Sequence, residues 1–377
     1  MSTDQEYNEI RPYRDSEIHE VIKILTKEES FKTLLKFLFP QIPVSDFIQK
    51  LLTIRSVKEF QIGIIYPYIK EIIKNTTQGL SSEGLDKLDP QKSYLFISNH
   101  RDIVLDSAFL NILLLENGHE TSEIAIGDNL LIYPWITQLV KLNKSFVVRR
   151  NLPSRQMLES SALLSKYIRH NITERKQSVW LAQREGRSKD GDDRTQTSLL
   201  KMINMSGSGN FEDSFREICI VPLSISYEYD PCDYLKAHTF LLKSENPEFK
   251  KSQADDLKHM ATGIQGRKGR VHFKAGNPID CQLNGLNDVE KNDRLVKLAE
   301  ILDDQIHKNY KLWPGNFIAA DILNQNNAFV DKYSQEDVEH FNTYIDEHIS
   351  RVQGDRAFIH RFLIKMYANP VMNFYKE

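Results

Sequence analysis

From Ser93 to about residue 280 the chain alternates short apolar runs with longer stretches of helical periodicity, a pattern that few architectures accommodate. The runs are YLFIS, EIAIG, SFVVR, SVWLAQ, EICIVPLSISYE and GRVHFKAGNPI. Between them, VLDSAFLNILLLENG, closed by Gly118, and MLESSALLSKYIRHNITER carry apolar residues at helical spacing. Short strands that are apolar throughout belong in a sheet covered on its faces by helices. An α/β domain over 81–285 is the expectation. Residues 1–80 read as a helical N-terminal region punctuated by Pro40, Pro43 and Pro67, and residues 286–377 as a helical C-terminal region. LSSEGLDKLDPQ reads as a loop and NMSGSGNFEDS as a flexible one.

Composition removes several classes. With 377 residues, 40% hydrophobic and 27% charged, the chain has enough apolar material for a core domain with extensions. A formal net charge of -3 supplies no global basic field, so no nucleic-acid partner is expected and anion binding must be local. Cys219, Cys232 and Cys281 form no CxxC pair, which fits a reducing compartment and reads as three buried small residues, with no metal site. The polar, acidic opening MSTDQEYNEIRPYRDSE lacks a secretory signal pattern. The most apolar segments, FKTLLKFLFPQIPVSDFI and NLLIYPWITQLVKL, stop short of the ~20 residues a spanning helix needs.

One strand ends in a dense set of polar groups, FISNHRDIVLD. His100 follows the strand and precedes a helix, where α/β proteins expose reactive groups at the carboxyl edge of the sheet. The competing reading is a helix start, with Asn99 or Asp102 as cap and His100 merely exposed. HRD also opens the protein-kinase catalytic loop, but Ser107 stands where that loop needs Asn, and neither DFG nor a glycine-rich N-terminal loop is present.

Three further segments follow in order: SFVVRRN, WLAQREGRSKDG and IVPLSISYE. Together the four resemble the glycerolipid acyltransferase family, which includes glycerol-3-phosphate and lysophosphatidic acid acyltransferases. The corresponding residues are Asn99, His100 and Asp106; Phe146 with Arg149 and Arg150; Glu185, Gly186, Arg187 and Ser188; and Val221, Pro222 and Ile225. The resemblance covers roughly 93–280, and NHR with GDNLLIYPW is more similar to the glycerol-3-phosphate branch. Two spacings depart from the family pattern. Five residues separate His100 from Asp106 where the family has four, and aligning GRS puts Arg184 at the family's Glu position.

The resemblance implies a central mixed sheet with flanking helices and transfer of a fatty acyl group to glycerol-3-phosphate or a lysophospholipid. Acyl-CoA or acyl-ACP would be the donor, with no permanently bound cofactor. A His within reach of an acceptor hydroxyl can take its proton as it attacks a thioester carbonyl. A carboxylate on the following helix can hold the ring in one tautomer. His100 is therefore the expected base, with Asp106 ahead of Asp102 as its orienter. Arg side chains match phosphate oxygens, so Arg101, Arg150, Glu185, Gly186, Arg187 and Ser188 are the expected substrate-binding set. Of the two Arg after SFVV, opposite side-chain directions leave one for the site, and the resemblance favours Arg150, with Arg149 as the solvated partner. Val221 and Pro222 would shape the floor near the acyl chain. The expected partners are a membrane surface, met peripherally from the cytoplasmic side, acyl carrier protein, and a small phosphate-bearing acceptor. Tyr133 and Trp135 read as interfacial or as lining an acyl groove. Acylation of another lysolipid, or a lipid binder without catalysis, are the alternatives.

Overall fold

The computed structural model describes residues 5–376. Helix α1 (Asp15–Leu25) buries Ile18, Val21, Ile22 and Leu25, one stripe at helical spacing. Helices α2 (Glu29–Leu38) and α3 (Val44–Thr53) bury Phe31 and Leu35, and Phe47 and Leu51, towards the same cluster. Pro43 caps the start of α3. The short α4 (Val57–Phe60) passes through a π-helical turn at Gln61–Ile65 into α5 (Tyr66–Thr76), with Pro67 in its first turn, where its missing N–H costs nothing.

A seven-stranded sheet follows: β1 (Leu80–Glu83), β2 (Leu95–Ser98), β3 (Glu123–Gly127), β4 (Ser145–Val148), β5 (Val179–Ala182), β6 (Ile220–Tyr227) and β7 (Val271–Ala275), in the order β1-β7-β6-β2-β5-β3-β4. Strands β2 to β6 run parallel; β7 is antiparallel to β6, and β1 parallel to β7, so the sheet is mixed. Strand β1 lies inside the stretch that reads as a loop. It is an edge strand of four residues with alternating half-burial, too short and polar to announce itself as a run.

Interleaved with the strands are α6 (Leu105–Glu116), α7 (Pro134–Leu142), α8 (Ser154–Thr173), α9 (Thr197–Asn204), α10 (Phe211–Arg216), α11 (Asp233–Glu245) and α12 (Gln253–Gln265). After β7 come α13 (Arg294–Lys308), α14 (Pro314–Asn324), α15 (Gln335–Ser350) and α16 (Arg356–Phe374). Strand alternation divides the core. Leu95 and Ile97 pack with α8, α9 and α13, while Phe96 packs on the other face with α5 and α6. Helix α13 thus belongs by packing to the sheet's layers. A third cluster joins α14, α15 and α16 to α11. Its polar centre is the buried Asp233 carboxylate, which meets His348 Nδ1 and accepts from the Tyr344 and Tyr367 hydroxyls, each at 2.8 Å.

All three cysteines are free thiols, but only Cys232 is buried; Cys219 is half-buried and Cys281 exposed, contrary to the sequence reading. No helix of the described residues is long and apolar enough to cross a membrane.

The loop after β5 is fitted against α16. Gly191 has φ +75°, and a Cβ there would lie 2.2 Å from the Met366 carbonyl oxygen. A side chain meets both a left-handed backbone and a fixed carbonyl. Gly191→Ala should destabilise the protein by about 1–3 kcal/mol, read as a lower urea midpoint; an unchanged midpoint would show that α16 yields.

Candidate active site

Strand β2 occupies the middle of the sheet, so its carboxyl end opens between neighbouring strands rather than at an edge. Asn99 fixes that end. Its side-chain amide donates to the Ile225 carbonyl and accepts from the Ile225 N–H, both at 2.8 Å, extending the ladder to β6. Ser98 Oγ accepts from Trp180 Nε1 at 2.9 Å, and the Trp180 ring stands edge-on to His100 with centroids 5.5 Å apart.

His100 Nδ1 lies 2.8 Å from Asp106 Oδ2. The Asp106 carboxylate is fully buried in the first turn of α6, where a negative charge is favoured. The same oxygen accepts from the Arg101 and Asp102 backbone N–H groups at 2.6 and 3.0 Å. Those two amides absorb the five-residue spacing. Asp102 Oδ1 accepts from the Val104 and Leu105 N–H groups at 2.9 and 2.8 Å, so Asp102 caps α6 and Asp106 meets the ring. Burial, and then the Asp106 charge, raise the Asp102 pKa. With Nδ1 engaged, Nε2 is the ring nitrogen left for a substrate.

His100 borders a cavity of about 1070 Å³. One part is apolar, walled by Phe31, Leu35 and Leu51 of the N-terminal helices and by Trp135, Leu139 and Leu164. Trp135 therefore lines the groove, while Tyr133 is exposed. The other part is cationic. Arg187, on the loop after β5, reaches it, and the adjoining Ser188 N–H donates to the His100 carbonyl at 2.9 Å. Gly186, with φ +71°, makes the turn beside it. Both Arg149 and Arg150 line the cavity, where sequence alternation leaves room for one; they follow β4 rather than extend it. Arg149 pairs with Glu9, and Arg150 pairs with Glu185 at 3.1 Å.

Two residues of the expected set face elsewhere. Arg101 turns away from the cavity and lies over the Tyr310 ring, 3.4 Å from Asp193, because successive residues leaving a strand point to opposite sides. The buried Ser188 hydroxyl accepts from the Gly191 N–H at 3.2 Å and so holds its own loop. Val221 and Pro222 are core residues of β6 and do not border the cavity.

Three groups escape a sequence reading: Lys236 on α11 and Lys251 just before α12, which border the cavity, and His259 of α12, buried against Arg187 and Lys251. Lys236 is tied to Asp230 and to the Arg101 carbonyl. His259 stands between Arg187 Nη2, 3.2 Å from its Nδ1, and Lys251 Nζ, 2.8 Å from its Nε2. A Lys or His on a helix of mixed polarity reads as a solvated face, so no local signal marks these positions. Among the described residues no group of three or more His, Cys, Asp or Glu is arranged to hold a metal ion.

Burial, and then the Arg187 and Lys251 charges, hold the His259 imidazole down at about 3 against an ordinary 6.5. The folded protein keeps this ring neutral where the unfolded chain protonates it. Its contribution is complete above about pH 6.5 and is lost as pH falls towards 3. Melting temperature should drop across that window, and His259→Gln should flatten part of the slope; parallel profiles would refute the assignment.

Residues 79–226 match the protein-family model described as Acyltransferase. No curated protein matches the chain by sequence. Among solved structures, the 1-acyl-sn-glycerophosphate (LPA) acyltransferase PlsC from Thermotoga maritima is similar over 75% of this chain and 92% of that one, with 12% identity and a TM-score of 0.40.

Proposed function

We propose, from the match of residues 79–226 to the acyltransferase family model, that the chain moves a fatty acyl group from acyl-CoA or acyl-ACP to the hydroxyl of glycerol-3-phosphate or a lysophospholipid. One observation carries the reading: the His100–Asp106 pair borders a single cavity that is lined both by apolar side chains and by several cations. That combination is what a reaction between a lipid thioester and a phosphorylated alcohol requires.

His100 Nε2 accepts the hydroxyl proton as the alcohol oxygen attacks the thioester carbonyl, while Asp106 holds the other nitrogen and stabilises the ring as it becomes charged. Collapse of the tetrahedral intermediate breaks the C–S bond and expels the thiolate, which takes the proton from the imidazolium and leaves as the thiol. Arg187 and Arg150 offer the phosphate its donors; Arg101 and Ser188, turned away, are outside this set.

The acyl chain enters between α2, α3 and the sheet. About a dozen buried methylenes at ~0.8 kcal/mol each give roughly 10 kcal/mol of gross binding energy. Phe37 lines the cavity and is 56% exposed, and Ile42 and Tyr133 are exposed apolar neighbours in sequence of the same walls. These residues support contact with a membrane surface, from which a lipid substrate would enter.

The test is thiol release from acyl-CoA and acyl-ACP with glycerol-3-phosphate or a lysophosphatidate as acceptor. His100→Ala should lower acceptor-dependent release by ~10²–10⁴-fold; equal release by wild type and variant, or none with any pair, overturns the reading. Leu35→Trp, which adds bulk to the apolar lining, should shift the preferred donor to a shorter acyl chain, measured as the ratio of kcat/KM across chain lengths.

A further inference from the structure

The cationic end of the cavity is short of hydrogen-bond acceptors. Arg187 has only donors, and among the described residues its one hydrogen-bond contact is His259 Nδ1; its Nη1 is buried without a partner. His259, itself buried, faces a second donor, Lys251 Nζ, on its other nitrogen. A neutral imidazole has a single lone pair to offer. It cannot satisfy two cations at once, and protonating it would leave three cations in contact.

The surroundings do not make up the deficit. Asp256 is 3.9 Å from Lys251, beyond hydrogen-bonding range. Asp102 and Asp230 lie near Arg187, but the first is committed to the α6 backbone and the second to Lys236. Lys189 and Arg184 border the same space and add cations, and the buried Arg184 Nε also lacks a partner. Burial and the Arg187 charge push Lys251 down to about 8, as expected where cations crowd without counter-charge.

We propose that Arg187, His259 and Lys251 form a phosphate-ester site whose outer wall is α12, so that Lys251 and His259 decide whether a substrate must carry a phosphate. A phosphate ester supplies several acceptor oxygens and two negative charges, enough to engage both cations and leave the ring nitrogen its N–H. The wall is firmly seated. Gly263 of α12 approaches Asp102 so closely that a Cβ there would fall 2.0 Å from its Oδ2, which fixes α12 against the loop that carries His100. Lys251, His259 and α12 all lie beyond the segment matched as acyltransferase. The inference extends the proposed reaction and rests on it for the identity of the substrate, but the anion site stands on its own geometry.

The experiment has a binding arm and a turnover arm, both on the full chain. In calorimetry, wild type should bind glycerol-3-phosphate, coenzyme A or inorganic phosphate saturably, Lys251→Met and His259→Gln should bind at least tenfold more weakly, and Lys251→Arg should retain binding. No binding of any of the three, or equal binding by wild type and both loss variants, overturns the site. In turnover, a rise of tenfold or more in KM for the phosphorylated acceptor assigns the site to the acceptor, and the same rise for acyl-CoA assigns it to the donor. Unchanged KM for both overturns the site while leaving the acyltransferase reading intact. Weakened binding in the variants with no acyl transfer by wild type does the reverse, keeping the site and removing the reaction.

Discussion

The arrangement of the site depends on a carboxylate with no access to water. Asp106 is held by the ring of His100 and by two consecutive backbone amides, all converging on one oxygen. A buried charge of this kind persists where hydrogen bonds replace its hydration, and it also gains from its position in the first turn of α6. Because the amides belong to Arg101 and Asp102, the carboxylate dictates the path of the chain immediately after His100. That path sends Arg101 towards Tyr310 and Asp193, and Asp102 back onto the helix start and against α12. One oxygen thereby sets the ring, the cap and the seat of a distant helix.

The regions on either side of residues 79–226, the segment that matches the acyltransferase model, stand in different relations to the site. The N-terminal helices wall the apolar part of the cavity through Phe31, Leu35 and Leu51. The C-terminal helices never reach it. They act from behind, through the Asp233, Tyr344, Tyr367 and His348 cluster that fixes α11 and through Tyr310 under Arg101. Lys236, on the same α11, ties the Arg101 carbonyl to this support.

The strands from YLFIS to GRVHFKAGNPI were legible because each is a run apolar on both faces, and the helices between them because their apolar residues recur at helical spacing. His100 and Asp106 stood out as polar groups at a strand's end, and the fold brings them within hydrogen-bonding distance despite the added residue. Strand β1 was illegible, since LSSE has no run to show. Arg101 enters the expected set through its side-chain type alone, whereas alternation after the strand turns it towards Tyr310 and Asp193. Lys251 and His259 carried no signal of their own: only tertiary placement brings the His259 ring against Arg187 and Lys251 against that ring. Charge patterns report exposure on average, and concave sites are where that average fails.

The apolar part of the cavity lies where the N-terminal helices meet the sheet layers. Side chains facing a void forgo the dispersion contacts that a packed neighbour would supply. The two layers are accordingly joined less tightly than their apolar content allows, and any hydrocarbon that fills the space adds its contacts to both. Cohesion between the layers would therefore depend on what fills the space, by mass action: an apolar ligand bound there would stiffen the molecule and act as a removable piece of its core.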